Sequence, residues 1–306
     1  MTHPAMENRT SITPRNAPMA KSRAMLLAEG LRLGKLAWSL RRLHCPVKPD
    51  ALVLEVGAGG NPYPRANVLL DAYQVSPERM ETDLVSDRPL IIGRCEDLPF
   101  ADDSFDFIIA SHVLEHSPDP DRFLRELMRV GRGGYIETPE AFYERIDPFM
   151  FHRLEVAEDD GKLLITKKPH WDPEPEIRVL YAGKLKQSRF FRAGSRWPEA
   201  LAVRYYWTKE IEYLISNPSV DCAWALPPIA RSASPPAGRI LLRQLTRVLF
   251  SQRRRNRKLE VVPILRCIQC NQTACSRRSI DVVQCGRCGC EYPISGGAIV
   301  MDPSAQ

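Results

Sequence analysis

Two glycines directly after an apolar run are the first sign of chemistry in this sequence. The run ALVLEV (51–56) is followed by GAGG, which places Gly57 and Gly59 at its end. Glycine lets backbone N–H groups approach a ligand that a Cβ atom would push away. The next apolar run, NVLLDA, ends near Asp71, whose carboxylate can accept hydrogen bonds from both hydroxyls of a ribose. This order indicates a nucleotide-containing ligand. A glycine pair alone is weaker evidence, because many parallel sheets have one that serves only the packing of neighbouring elements.

Residues that can accept a proton follow two further apolar runs. FDFIIAS (105–111) leads into HVLEH, which contains His112 and His116, and GGYIET (133–138) contains Glu137. Histidine titrates near neutrality and suits the removal of a proton from a hydroxyl. We therefore take His116, His112 and Glu137 as candidate catalytic residues. The alternative is that the histidines only cap the turn between a strand and a helix.

Four cysteines near the C-terminus have the spacing of metal ligands. Cys267 and Cys270 form one pair, Cys285 and Cys288 form another, and 14 residues separate the pairs. Thiolates on two tight turns give four sulfurs at tetrahedral spacing, which favours zinc. Cys275 and Cys290 could replace one of these ligands, and a disulfide or an iron–sulfur cluster remains an alternative.

Strands alternating with helices can bring these residues together. ALVLEV, NVLLDA, FDFIIAS and GGYIET read as buried strands, DPDRFLRELMRV as a helix with an aspartate cap, and KLLITKK as an edge strand. Such alternation predicts a doubly wound α/β sheet that holds ligands at the carboxyl ends of its strands. Residues 60–67 are too few for a full crossover helix and contain Pro62 and Pro64, so a loop or single turn is expected there.

The flanking segments are basic and amphipathic. The chain of 306 residues has a net charge of +6, and nine Arg or Lys residues but no acid lie between Asp221 and Glu260. This asymmetry indicates an anionic partner, such as phosphate, nucleic acid or a membrane surface. Helices are predicted at 21–43 and 238–258. In the second helix an apolar arc lies opposite Arg239, Arg243 and Arg247. We expect this arc to pack inside the protein, and the alternative is that it contacts an acidic membrane.

The apolar runs are too short to span a bilayer, and the polar N-terminus lacks the pattern of a secretory signal. We therefore expect a cytoplasmic protein, with peripheral membrane contact as an option. Nine cysteines in such a reducing compartment suit metal binding better than disulfides.

The segment from "EDLPFADDSFDFIIASHVLEH" to "GGYIETP" resembles the class I S-adenosylmethionine-dependent methyltransferases of the type 11 branch. The resemblance covers about residues 50–168 and implies a Rossmann-like, seven-stranded, doubly wound methyltransferase sheet with an antiparallel last strand. It also implies S-adenosylmethionine as the cofactor. The residues that it implies for cofactor binding are Glu55, Gly57 and Gly59 at the methionine part, Asp71 at the ribose, Cys95, Glu96 and Asp97 at the adenine, and Ser111 closing the site.

The string CEYPISGGAIVM (290–301) is similar to the small zinc-ribbon proteins that activate tRNA and protein methyltransferases. A ribbon behind a methyltransferase domain suggests an intramolecular partner that stabilises the domain or presents substrate. The expected organisation is an N-terminal tail and basic helix (1–50), a methyltransferase domain (51–168), an acceptor region with a basic linker helix (169–258) and a zinc ribbon (259–306).

These resemblances imply methyl transfer to a small-molecule, glycan or lipid-linked acceptor. An RNA or protein methyltransferase guided by the ribbon is an alternative, but the N/D-P-P-Y motif of many amine-methylating enzymes is replaced by SHVLE, so nucleic acid is the less expected partner. A non-catalytic binding module is a second alternative. It is suggested by the short crossover and by Arg94, which has no acceptor for an adenine amino group.

Overall fold

The computed structural model describes residues 21–75, 83–189, 198–225 and 236–302. The predicted N-terminal tail lies outside these residues, as do residues 190–197 and 226–235 of the expected acceptor region. The helices are α1 Arg23–Gly30, α2 Gly34–Leu40, α3 Pro120–Val130, α4 Ala141–Ile146, α5 Pro175–Leu180, α6 Ala237–Phe250 and α7 Arg253–Asn256. The strands are β1 Val53–Val56, β2 Val68–Asp71, β3 Leu90–Ile92, β4 Phe107–Ser111, β5 Gly133–Pro139, β6 Leu154–Asp159, β7 Lys162–Lys167, β8 Ala202–Thr208, β9 Tyr213–Ile215, β10 Cys275–Arg277, β11 Val282–Cys285, β12 Glu291–Ser295 and β13 Ala298–Val300.

A large sheet with the order β10-β11-β12-β13-β3-β2-β1-β4-β5-β8 forms the centre of the protein. Strands β3, β2, β1, β4 and β5 are parallel, and β8 pairs antiparallel with β5. Every residue of β1 and β2 is buried, which agrees with their mostly apolar sequences, VLEV and VLLD. The predicted α/β fold with a Rossmann-like sheet and an antiparallel last strand is confirmed.

Strand β8 lies beyond residue 168 and carries the aromatic run VRYYW. Tyr205 and Trp207 are 2% and 3% exposed, so these two rings pack on the sheet. The KLLITKK segment forms β7 of a separate three-stranded sheet with β6 and β9. This small sheet is joined to the turn after β4, because the backbone N–H of Arg153 donates to the carbonyl of Glu115 at 2.6 Å.

The C-terminal module continues the central sheet. Strand β13 pairs in parallel with β3, and Ile299 lies opposite Ile91. Backbone hydrogen bonds join the module to the loop after β3, from Ala101 N to the carbonyl of Ile264 (2.9 Å) and from Arg266 N to the carbonyl of Pro99 (3.1 Å). The module therefore shares backbone pairing with the parallel sheet, and six of the sheet's ten strands come from residues 53–208.

The short crossover after β1 is a loop, as predicted. Residues 60–67 contain no helix, and Arg88 donates to three of their carbonyl groups, those of Tyr63, Pro64 and Ala66. Arg88 is buried, and its guanidinium provides hydrogen-bond donors to carbonyl groups that a helix would have paired within its own backbone.

The basic N-terminal segment forms two helices instead of one. Helices α1 and α2 are separated where Arg32 takes a φ of 58°, and a 3₁₀ turn from Arg41 to Leu43 follows α2. Leu26, Leu27 and Leu31 are 55–66% exposed. The predicted amphipathic character is present, but its leucines face solvent.

The preferred interpretation of the 238–258 helix, with its apolar arc inside the protein, is wrong. Leu241, Leu242 and Leu249 are 57%, 64% and 72% exposed. Helix α6 instead approaches the protein through Arg243 and Arg247, which line a cleft shared with the 41–43 turn and the 60–67 loop. The helix also ends at Phe250, before the short α7. Among the described residues, no helix has both the length and the apolarity needed to cross a bilayer.

The pairing of β5 with β8 can be tested at Gly134. A Cβ atom there would lie 2.5 Å from the carbonyl oxygen of Ile108 and 2.7 Å from Nε1 of Trp207. We expect Gly134→Ala to lower the free energy of unfolding by about 1–3 kcal/mol, as overpacking does. Gly30→Ala is the matched control, because no atom lies within 4 Å of its added Cβ. Urea unfolding measures both, and equal stabilities would contradict the tight β5–β8 contact.

Candidate cofactor and acceptor site

A cleft lies at the carboxyl ends of β1, β2, β3 and β4. Seven of the predicted residues line it: Gly57, Gly59, Asp71, Cys95, Glu96, His112 and His116. The other predicted residues of this edge, Glu55, Asp97, Ser111 and Glu137, are not part of its lining. Arg153 also lines the cleft, together with side chains that no sequence pattern marked as site residues: Tyr73, Val113, Ser117 and Phe123.

The glycine loop has a conformation that requires glycine. Gly57 and Gly59 have φ values of 64° and 55°, and a Cβ atom on Gly57 would lie 2.6 Å from Cγ2 of Val113. The N–H of Gly59 donates to Oδ2 of Asp71 at 2.9 Å, and the N–H of Tyr73 donates to Oδ1 at 3.3 Å. The carboxylate of Asp71 is thereby fixed at the edge of the cleft.

Glu55 accepts a backbone hydrogen bond from the loop that follows the glycines. Its Oε2 accepts a hydrogen bond of 2.7 Å from the N–H of Tyr63, and its side chain is only 3% exposed. Burial raises the pKa of Glu55 to about 7, although nearby Arg42 and the bond from Tyr63 oppose the shift. Glu55 therefore stabilises the backbone around the glycines.

The loop after β3 divides its acidic residues between two partners. Glu96 faces the cleft and accepts from Oγ of Ser117 at 2.6 Å. Asp97 is paired with Arg266 of the C-terminal module at 2.7 Å. Arg94 is exposed and lines the cleft. Of the two acids proposed as adenine acceptors, only Glu96 lines this cleft.

Glu137 is a fully buried carboxylate with several donors. Arg41 forms two hydrogen bonds with it, at 2.6 and 2.7 Å, and the hydroxyls of Tyr135 and Ser111 also donate to it. Burial alone would raise the pKa of Glu137, but Arg41 and His112 outweigh burial and hold it well below its usual range. An ionised carboxylate with this many donors is a poor proton acceptor and a strong anchor.

His112 lies between two carboxylates. Its Nδ1 is 3.2 Å from Glu115 and its Nε2 is 3.2 Å from Glu137. Burial alone would lower the pKa of His112, but the two carboxylates raise it to about 10. At neutral pH the ring is therefore a cation whose two N–H groups are both engaged, so this arrangement leaves it unable to accept a proton. Its φ of 56° places it in a strained region, often found at functional sites.

A second set of ionisable groups lies beside His116. The rings of His116 and His152 meet edge to face with their centroids 4.9 Å apart. His152 Nδ1 lies 2.5 Å from Glu144, which accepts a 2.8 Å hydrogen bond from the buried ammonium of Lys168. The tertiary fold brings Glu144 and Lys168 here, and no local pattern in the sequence marks them.

The C-terminal module brings the four predicted thiols together. All four Sγ atoms lie within 4.8 Å of one another, with 3.6 Å between Cys267 and Cys288 and between Cys270 and Cys285. Zinc–sulfur bonds of about 2.3 Å place tetrahedral sulfurs about 3.8 Å apart, so these thiols fit a zinc ion. Cys275 and Cys290 lie outside this group of four.

Comparison with known proteins matches a segment in the first half of the chain to a methyltransferase domain. Residues 54–136 match the family described as methyltransferase domain, and this match spans β1 to β5. An uncharacterized protein of Methanocaldococcus jannaschii is 33% identical over 89 residues, which cover 29% of this chain and 43% of that protein. Methyltransferase GfsG of Streptomyces halstedii is 39% identical over 70 residues, which cover 22% and 25%. The chain therefore spans less than half the length of either relative.

Two solved structures also align with the chain. An S-adenosylmethionine-dependent methyltransferase of Mesorhizobium loti is 13% identical, with 56% of this chain and 95% of that chain covered and a TM-score of 0.31. A chain from a complex containing the Haloferax volcanii Trm112 methyltransferase activator is 17% identical, with 62% and 94% covered and a TM-score of 0.33.

The raised pKa of Glu55 predicts a specific pH dependence of stability. An ordinary glutamate ionises near 4.5 and Glu55 near 7 in the folded protein, so the wild type loses stability as pH rises between these values. Glu55→Gln removes this loss. The stability of Glu55→Gln relative to wild type should therefore rise by up to about 3 kcal/mol between pH 5 and pH 8.

Urea unfolding at both pH values measures this difference. The exposed Glu176→Gln serves as the matched control. A difference between Glu55→Gln and wild type that does not change with pH would contradict the raised pKa.

Proposed function

We propose that this protein is an S-adenosylmethionine-dependent methyltransferase that acts on a small-molecule, glycan or lipid-linked acceptor. The observation that carries the proposal is the cleft formed by Gly57, Gly59, Asp71 and Glu96. These residues come from the carboxyl ends of parallel strands, within the segment that matches a methyltransferase domain. Asp71 would hold the ribose, Cys95 and Glu96 would flank the adenine, and the glycine loop would hold the methionine part.

The cofactor supplies a methyl group that is already activated on a sulfonium. The chain's residues orient the acceptor, exclude water and accept a proton. The proton of an acceptor hydroxyl would pass to a base of this chain.

We assign the role of that base to His116. It lines the cleft and lies in the same 3₁₀ turn as Glu115. His112 and Glu137 were proposed with it, but their mutual ion pair and their donors suit positioning better than proton acceptance. His112 and Glu137 would then hold the turn that presents His116.

We further propose that the C-terminal module is a zinc ribbon and an intramolecular partner of the methyltransferase domain. Cys267, Cys270, Cys285 and Cys288 would hold the ion, which supplies only structural stability there. The support is the pairing of β13 with β3 and the contact between Arg266 and Asp97, which connects the ribbon to the loop carrying Glu96. Reduced thiols suit a cytoplasmic location.

The final part of the proposal is peripheral contact with an anionic membrane. Helix α6 exposes an apolar stripe, and α1 and α2 expose another, with Leu33 and Leu36 47% and 49% exposed. Residues of α2, the turn that follows it and α6 line one cleft, to which Arg42 and Arg243 both contribute. Exposed basic residues flank both stripes, including Lys35, Arg253 and Arg254. Apolar side chains beside basic ones match the interface of a bilayer with anionic lipids.

Cofactor binding tests the first part of the proposal. Titration calorimetry should show S-adenosylhomocysteine binding by the wild type. Asp71→Asn removes the charge that strengthens hydrogen bonds from the ribose, so it should weaken binding by about 1–3 kcal/mol. Asp103→Asn makes the same charge change at an exposed turn and is the matched control. A wild type that binds no ligand at millimolar concentration would contradict the proposal.

Liposome co-sedimentation tests the membrane contact. The wild type should sediment with vesicles that contain phosphatidylserine and remain in solution with pure phosphatidylcholine. Replacing Leu241, Leu245 and Leu249 with Gln should abolish sedimentation, because each buried CH₂ contributes about 0.8 kcal/mol. Ile280→Gln, at an 81% exposed position on the ribbon, is the matched control. Equal sedimentation of the triple variant and the wild type would exclude this surface.

A further inference from the structure

Three side chains that can bind a metal meet at the turn after β4. Glu115 and His116 belong to this turn, and His152 lies just before β6. One ligand atom from each residue lies within 4.8 Å of the other two. We propose that Glu115, His116 and His152 bind a divalent transition-metal ion at a site separate from the four cysteines. Two imidazoles and one carboxylate are typical ligands of Fe²⁺, Co²⁺, Mn²⁺ or Zn²⁺ with open coordination positions.

The orientation of His152 supports this proposal. Its Nδ1 lies 2.5 Å from Oε2 of Glu144, whose other oxygen accepts from Lys168 at 2.8 Å. A carboxylate that accepts from Nδ1–H leaves Nε2 as the metal-binding atom, and such pairs are found at most histidine ligands of metals. Nε2 of His152 lies 3.9 Å from Oε1 of Glu115.

Glu115 keeps one oxygen for a ligand. Its side chain is 1% exposed, and Oε1 contacts His112 at 3.2 Å. Within the described residues, Oε2 is buried and has no hydrogen-bond partner. A buried oxygen without a partner costs free energy, and a bound cation would remove that cost.

Small movements would complete the coordination. Metal bonds of about 2.1 Å at right angles place ligand atoms about 3 Å apart, so the three atoms need to approach by roughly 1–2 Å. His116 is only partly buried and lines the open cleft, so its ring can turn toward the other two residues. Glu115 and His152 are nearly fully buried and would form the fixed part of the site.

The position of the cluster suggests that the metal would bind the acceptor of the methyl group. Because His116 also lines the cleft, open coordination positions would face the bound acceptor. An acceptor hydroxyl could then bind the metal, which lowers the pKa of that hydroxyl. In the metal-bound protein the metal would activate the acceptor in place of His116, which would act as the base only when no metal is bound. This role rests on the proposed methyl transfer, whereas binding of the metal does not.

Titration of the full chain with Co²⁺ tests the proposal. Protein whose cysteines already hold zinc should bind one further equivalent by absorption and calorimetry. His116→Gln and His152→Gln should each weaken that binding by at least about tenfold, the scale on which even outer-shell changes act. His170→Gln removes an exposed histidine outside the cluster and should leave binding unchanged.

Retained zinc and cooperative melting show that a variant is folded. Loss of Co²⁺ binding by such a variant then shows that the substituted histidine is a ligand of the metal. Where a variant does not fold, pulsed EPR of the wild type with one equivalent of Mn²⁺ should show nitrogen couplings from imidazole ligands. Absence of these couplings overturns the proposal. So does a wild type that binds no further equivalent at about 1 mM Co²⁺, or binding that both histidine variants retain. These measurements do not depend on cofactor binding. A protein that fails to bind S-adenosylhomocysteine in the calorimetric test could therefore still bind the metal, and the two proposals are tested independently.

Discussion

The buried carboxylate of Glu137 constrains the whole carboxyl edge of the sheet. A charge without solvent exposure must have partners, and removal of one partner from such a pair typically costs about 3–5 kcal/mol. Arg41 satisfies it with two hydrogen bonds, which hold the N-terminal helical segment against β5. His112 satisfies it from the other side. The turn that follows His112 is thereby fixed, and this turn carries Glu115 and His116.

The opposite edge of the parallel sheet is closed by the C-terminal module. Strand β13 covers β3 and so protects a sheet edge that would otherwise expose unpaired backbone groups. Arg266 adds an ion pair with Asp97, on the loop that also carries Glu96. The two ends of the described chain therefore fix the two sides of one cleft. The loop of the shortened first crossover is held separately, by the hydrogen bonds from Arg88.

Local sequence patterns predicted the parts of the fold that depend on local physics. The buried strands β1, β2, β4 and β5 fall in segments that were read as strands, and Asp119 accepts from the N–H of Arg122 as an N-cap should. The four thiols also follow from spacing alone. The partners of buried charges could not be predicted, because Arg41 and Glu137 are 96 residues apart.

The orientation of α6 was missed for a related reason. Its sequence specifies an apolar arc and a basic arc but does not indicate which of them meets the protein. Tertiary contacts decide this, and Arg243 lies in a cleft with Arg42 while Leu249 faces solvent. The roles of the histidines likewise depended on distant groups. His112 has two carboxylates as neighbours, and one of them belongs to β5.

A crystal structure of the protein with S-adenosylhomocysteine is the most direct test of the central claim that this cleft holds the methyl donor. The account predicts ribose hydroxyls at the carboxylate of Asp71, adenine beside Cys95 and Glu96, and the sulfur on the side of the cleft that carries His116. A ligand bound elsewhere on the chain, or a cleft without ligand in crystals grown at saturating concentration, would contradict it.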